Sequence, residues 1–98
     1  MTIELLTIDL FSDKVGQIFA IDESNFAAAE LTLIEAKTLA NQGNAPRAPF
    51  SLLFTSEGAG VLPQRMYTLR HAAWGPLEVF LVPIDMKGDV VTYQAIFN

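Results

Sequence analysis

The chain has 98 residues, a length that suits one domain, and we expect residues 1–98 to form a single domain. Hydrophobic residues make up 51% of it and charged residues 17%, a balance that favours a folded core over disorder. Eleven acidic and six basic residues give a net charge of −5, which argues against nucleic-acid binding because that binding requires clustered cations. The absence of cysteine and the single histidine argue against disulfides, thiolate chemistry and multi-histidine metal sites, so we expect no cofactor.

The apolar residues are distributed along the chain and do not form a membrane segment. Uninterrupted apolar runs such as Val79–Val82 are far shorter than the roughly 20 residues of a spanning helix. The N-terminal segment carries Glu4 and Asp9 and has no basic region, unlike a secretory signal. We therefore expect a cytoplasmic protein without membrane insertion. The mean hydropathy of +0.33 would then reflect a core, or a surface covered by a protein partner or a second copy.

The first predicted element is a helix over residues 8–15. Thr7 is a residue type that caps helix N-termini, and Ile8, Phe11 and Val15 fall on one helical face. Gly16 follows directly and suits the left-handed conformation that ends many helices. The pattern predicts a short helix that packs over the core.

After Gly16 the apolar period changes from the helical value to two, which predicts β-strands. The alternation slips after Leu33, which predicts a bulge, with a helix over 34–41 as the alternative. Residues 40–49 and 56–63 are predicted as loops. The predicted strands are 17–22, 30–39, 50–55, 66–71, 77–84 and a last one in which Val91, Tyr93, Ala95 and Phe97 share a face.

The predicted strand 77–84 has apolar residues at both odd and even positions after Glu78. This pattern is typical of a central strand that is covered on both sides, and Pro83 is expected to end its pairing. A turn is predicted before it at 72–75 and another after it at 85–89. Six antiparallel strands joined by short turns, with one short N-terminal helix, predict a mainly β fold: a small sandwich or a partly closed barrel.

The chemical inventory is small. His71 could act as a general base only beside a nucleophile or a substrate proton, and the simpler interpretation is a half-buried histidine at a hairpin end. Gly58-Ala59-Gly60 is too short for a dinucleotide fingerprint, and residues 85–89 lack the alternating ligands and distal glutamate of a calcium loop. The sequence therefore predicts a protein that is not an enzyme.

Trp74 is the most distinctive aromatic residue, because it is predicted in a tight turn between two apolar strands. It would either cover the core or stand out as a contact residue, as aromatic residues often do at interfaces. Arg65, Arg70 and His71 lie near it in sequence, and Arg47 lies in the proline-bounded loop. These five residues form the candidate interaction site.

Several segments along the chain are distinctive in combination: Arg47-Ala48-Pro49-Phe50-Ser51-Leu52-Leu53-Phe54; Leu62-Pro63-Gln64 with Tyr67, Leu69 and His71; Gly75, Leu77 and Phe80-Leu81-Val82-Pro83; and Tyr93, Ala95 and Phe97-Asn98, with Leu6-Thr7 and Val15-Gly16 near the start. Together they resemble a family of small bacterial proteins that carry a domain of unknown function. The resemblance covers nearly the whole chain and implies no assigned activity. It implies a bacterial protein encoded near tail-collar-type proteins of phage or phage-like particles.

Three functional hypotheses follow. The leading one is a non-enzymatic structural or protein-interaction module, accessory to a phage-tail-like assembly. The second is a small-molecule-binding β-barrel with Tyr67, Arg70, His71 and Trp74 around its mouth. The third is a small enzyme that uses His71.

Overall fold

The computed structural model describes residues 7–21, 30–39, 49–57 and 61–97. They form one short helix and six strands. In chain order the elements are α1 (Asp9–Ser12), β1 (Ile18–Ile21), β2 (Glu30–Thr38), β3 (Phe50–Glu57), β4 (Arg65–His71), β5 (Trp74–Lys87) and β6 (Val90–Phe97).

The six strands form a closed barrel in the order β1-β2-β3-β6-β5-β4, and every neighbouring pair is antiparallel. Two three-stranded meanders, β1-β2-β3 and β4-β5-β6, meet along the β3–β6 and β1–β4 ladders. The predicted mainly β fold with one short helix is confirmed, and the barrel is closed. Closure satisfies the strand edges that an open sheet would leave unpaired.

Alternate residues of each strand point into the barrel and build its core. In β3 these are Phe50, Leu52 and Phe54, and in β6 they are Val91, Tyr93 and Ala95, as the sequence predicted. Phe19 of β1 meets the Phe54 ring edge-on, with centroids 5.6 Å apart. The other buried hydrophobic residues are Phe11, Leu31, Leu33, Leu62, Tyr67, Leu69, Leu77, Val79 and Leu81.

Helix α1 covers the end of the barrel where β3 begins and β6 ends. The Phe11 ring lies 5.7 Å from that of Phe50 and 5.9 Å from that of Phe97. The Phe50 and Phe97 rings are themselves stacked with centroids 4.7 Å apart. Phe11 therefore anchors the helix to the core, and the partly buried Ile8 and Leu10 add to this packing.

The helix is shorter than predicted, because it spans Asp9–Ser12 rather than 8–15. The cap position is Ile8 and not Thr7, and no side chain caps it. Val15, expected on the buried face, is 48% exposed. Gly16 has φ 92° and donates its N–H to the Leu33 carbonyl at 2.7 Å, so the chain already leaves the helix to join the sheet.

The residues just before β4, 61–64, lie at the opposite end of the barrel. Leu62 is buried there, and its N–H donates to the hydroxyl of Tyr93 at 2.8 Å. The hydroxyl of Tyr67 donates to the Pro63 carbonyl. The predicted loop at 56–63 begins later than expected, because β3 continues to Glu57.

The predicted bulge in β2 is confirmed, and the alternative helix over 34–41 is wrong for the described part of that range. The β2–β3 register shifts between Leu33 and Glu35, and Ile34 points outward. The loop predicted at 40–49 lies outside the described residues except for Pro49, whose carbonyl accepts from the Leu39 N–H at 2.8 Å.

Strand β5 differs most from its prediction. It spans 14 residues, the turn before it contains only Ala72 and Ala73, and its pairing continues past Pro83 through a bulge between Pro83 and Asp85. The following turn is likewise shorter than 85–89, with Gly88 at φ 62°. The strand is also not covered on both sides, because a closed barrel has one interior and the second apolar face of β5 remains outside.

Candidate functional site

The predicted interaction residues on β4 lie at its two ends and on its two faces. Arg65 begins the strand opposite the buried Leu81, while Arg70 pairs with the exposed Ala20 near the α1 end. The two arginines are five positions apart, about 16 Å along an extended strand. The structure therefore does not join them into one basic patch. Arg47 lies outside the described residues.

His71 is held by neighbours at the α1 end of the barrel. The N–H of Ala73 donates to its Nδ1 at 3.1 Å, so Nε2 carries the proton and donates to the side-chain oxygen of Gln17. Its ring lies 5.0 Å from the buried Phe19 ring. Both ring nitrogens thus serve to fix the β4–β5 hairpin and the start of β1. Neither partner is a nucleophile.

Arg65 contacts an aromatic ring. Its guanidinium lies 5.1 Å from the centroid of the Tyr67 ring, a distance suited to a cation–π interaction. Tyr67 is 97% buried on the core side, and its hydroxyl is engaged by Pro63. The arginine therefore covers the rim of the barrel over a core residue.

Trp74 begins β5 and pairs with His71 across the two-residue turn of Ala72 and Ala73. Its side chain lies outside the described part of the structure. The prediction that it either covers the core or makes a contact therefore stays a prediction.

The outer surface of the barrel carries a cluster of apolar side chains, which we call the apolar strip: Met66, Phe80, Val82 and Ile96. Met66 pairs with Phe80 across β4 and β5, and a groove of about 360 Å³ is lined by Phe80, Val82, Gln94 and Ile96. Met66, Phe80 and Ile96 are 55%, 44% and 52% exposed. Three neighbouring strands thus present large hydrophobic residues to solvent at one place.

Sequence reasoning missed the apolar strip because it assigned both faces of 77–84 to the interior. The signal was nevertheless present in the even-numbered residues of that segment, Phe80 and Val82. Of their outward neighbours, Met66 on β4 precedes the buried Tyr67, and Ile96 on β6 follows the buried Ala95. If the same pattern is interpreted as a closed barrel, it predicts that the four residues of the apolar strip face outward.

A second groove lies on the outer face of the β1-β2-β3 meander and is polar. Its volume is about 410 Å³, and its lining includes Glu30, Thr32, Thr55 and Glu57. Among the residues that the structure describes, no three histidine or acidic side chains come together as a metal site would require. This groove has the character of a solvated face.

The inward side chains that the structure describes form one buried hydrophobic cluster. The inward side chains of the described strands pack against one another and against Phe11 and Leu62 at the two ends. Tyr67 and His71, which the second hypothesis placed around a ligand, are engaged by Pro63, Gln17 and Ala73. Both grooves lie on the outer surface.

Among the residues that the structure describes, no helical segment has the length and apolar character of a membrane span.

Comparison with known proteins identifies the family of the chain. Neither a curated protein nor a solved structure matches it. The model of one family, described as a domain of unknown function (DUF6916), matches residues 6–97. This match covers nearly the whole chain and includes every described element, so the chain belongs to the DUF6916 family.

Proposed function

We propose that this protein is a non-enzymatic structural or protein-interaction module, and that the apolar strip is its contact surface. The observation that carries the proposal is the convergence of Met66, Phe80, Val82 and Ile96 from three neighbouring strands on the outside of the barrel. The interaction site predicted from the sequence, Arg47, Arg65, Arg70, His71 and Trp74, stays a prediction, and we place the centre of the contact at the apolar strip.

The energetics of exposed apolar surface support a contact role. Covering such surface contributes about 25 cal/mol for each Å² removed from water. Phenylalanine and methionine are enriched in the cores of protein interfaces, where they supply large contact areas. Phe80 lies between Met66 on one neighbouring strand and Ile96 on the other. A partner that covers Phe80 would therefore also cover the other members of the strip.

The non-enzymatic part of the proposal is supported by the surroundings of His71. Its two ring nitrogens interact with an amide oxygen and a main-chain N–H, and its ring packs on Phe19. These contacts of His71 stabilise the structure, because together they join β4, β5 and the start of β1. A general base would instead face a group that gives up a proton.

The proposal includes the setting that the sequence resemblance implies. We expect a bacterial cytoplasmic protein that serves as an accessory of a phage-tail-like assembly. Such assemblies are built from protein contacts, and a small barrel with a neutral apolar outer face would suit one position in them.

Site-specific photo-crosslinking in the native host cell tests the proposal. A benzoylphenylalanine placed at Phe80 replaces one exposed aromatic side chain with another. The same group at Ile18, which is 52% exposed on the β1-β2-β3 side, provides a matched control. We expect irradiation to give protein adducts from position 80 and few from position 18.

Equal adduct formation at the two positions, or none at position 80, would contradict the assigned contact surface. The masses of the adducts also separate the classes of partner. An adduct of twice the chain mass of 10.7 kDa indicates a second copy, and any other mass indicates a different protein.

A further inference from the structure

We propose that the partner of the apolar strip is a second copy of this chain, joined face to face in an isologous dimer. This inference rests on the proposed function and names its partner. In an isologous contact the same surface of both copies meets across a two-fold axis, so the surface must tolerate its own charge and complement its own shape. The two halves of the barrel differ sharply in formal charge, and therefore in how well each would tolerate contact with its own copy.

The formal charge of the barrel is unevenly distributed between its meanders. Residues 61–97, which include β4, β5 and β6, carry three basic and three acidic side chains. The other described residues, which include α1 and β1 to β3, carry two basic and five acidic side chains. Two copies that meet through the β4-β5-β6 face therefore bring together two neutral surfaces. Two copies that meet through the opposite face would bring together two negative ones, which repel each other.

The rim of the apolar strip carries both signs of charge. Arg70 on β4 and Glu78 on β5 lie on the same outer face as Met66 and Phe80, on the side toward α1. In a two-fold dimer, Arg70 of each copy can face Glu78 of the other, so a rim that carries both charges is complementary to itself. A strongly basic or strongly acidic partner would gain little electrostatic attraction from this neutral face. Rim charges of this kind set orientation more than affinity.

A dimer contact of standard size buries roughly 800 Å² on each partner, about an eighth of the chain's accessible surface of 6126 Å². The apolar strip supplies the core of such an interface, and its polar neighbours Thr68 and Gln94 extend it toward the rim. The barrel order closes on itself, so each strand has a neighbour on both sides, and the proposed contact is a packing of faces rather than a pairing of strand edges.

Sedimentation equilibrium of the full chain across micromolar to millimolar concentrations tests the proposal. For the wild type we expect the mass to rise from 10.7 kDa toward twice that value. Phe80→Glu should weaken the association at least about tenfold, because it places an unpaired charge at the centre of the contact. The matched variant Ile18→Glu changes a similarly exposed residue on the other face and should leave the association unchanged. Ile18 lines the groove that contains Glu30 and Glu57, so urea unfolding of each variant checks that it is folded before its mass is compared with that of the wild type.

The outcomes separate this inference from the proposed function. A wild type that stays monomeric, while position 80 crosslinks to a different protein in cells, overturns the second copy and keeps the contact surface. A dimer that survives Phe80→Glu but is lost in Ile18→Glu overturns the inference by placing the contact on the other face. A monomeric wild type with no adducts from position 80 overturns both.

Discussion

At the scale of single residues, the polar groups inside this barrel are few and each has a defined partner. Tyr93 is fully buried, and its hydroxyl accepts the main-chain N–H of the buried Leu62 at 2.8 Å. Among the described residues, no buried side-chain nitrogen or oxygen is left without a hydrogen-bond partner. The Tyr93 hydroxyl is therefore a structural device that fixes the connection between β3 and β4 over one end of the barrel.

We predict that Tyr93→Phe lowers the free energy of unfolding by about 1–3 kcal/mol, because the buried N–H of Leu62 loses its acceptor. Tyr67→Phe is the matched control. Its hydroxyl donates to the carbonyl of Pro63, an exposed residue to which water has access, so we expect a loss of only about 0.5–1.5 kcal/mol. Urea denaturation of both variants measures the difference. A larger loss for Tyr67→Phe would contradict this account of the covered end.

At the scale of elements, Phe11 is the fully buried side chain of helix α1, and Ile8 and Leu10 pack against the core while partly exposed. Phe11 fills the barrel end against Phe50 and Phe97, while Val15 has left the helical face and is exposed. The sequence pattern treated the two as equivalent. The difference arises because Gly16 already pairs with Leu33, and this draws the chain away from the helix within one turn of Phe11.

We therefore predict that Phe11→Ala destabilises the protein by about 3–5 kcal/mol, since it removes a fully buried ring and leaves a cavity. Val15→Ala should change the free energy of unfolding by no more than about 0.5 kcal/mol. The midpoints of thermal or urea unfolding provide the comparison. Similar losses for both variants would indicate that the helix continues to residue 15 as the periodicity suggested.

Some features of the strands could be predicted from the sequence, and others could not. The alternation of apolar residues in β3 and β6 correctly predicted the inward faces of both strands, because apolar residues recur there at every second position. The slip after Leu33 was a local signal and correctly indicated the bulge in β2. The apolar strip was not predicted, because Phe80 and Val82 have the same sequence pattern whether a second layer covers them or solvent does. Only barrel closure, a property of all six strands together, distinguishes the two.

At the scale of the whole molecule, the barrel presents two chemically different outer faces. The β1-β2-β3 side is acidic and carries a polar groove lined by Glu30 and Glu57. The β4-β5-β6 side is neutral and carries the apolar strip. A protein that only needed to be stable would gain nothing from grouping Met66, Phe80 and Ile96 on the neutral side. The grouping is what an assembly surface requires.

The central claim is that two copies of the chain associate through the apolar strip, and methionine footprinting tests it most directly. Met66 belongs to the strip, whereas Met86 lies beyond the β5 bulge opposite Val91, and the two are 55% and 56% exposed. Dilute peroxide should therefore oxidise them at similar rates in dilute protein. As the protein concentration rises, we predict that Met66 becomes protected while Met86 stays reactive. Equal oxidation of both residues at every concentration would contradict self-association through the strip, and selective protection of Met86 would place the contact elsewhere.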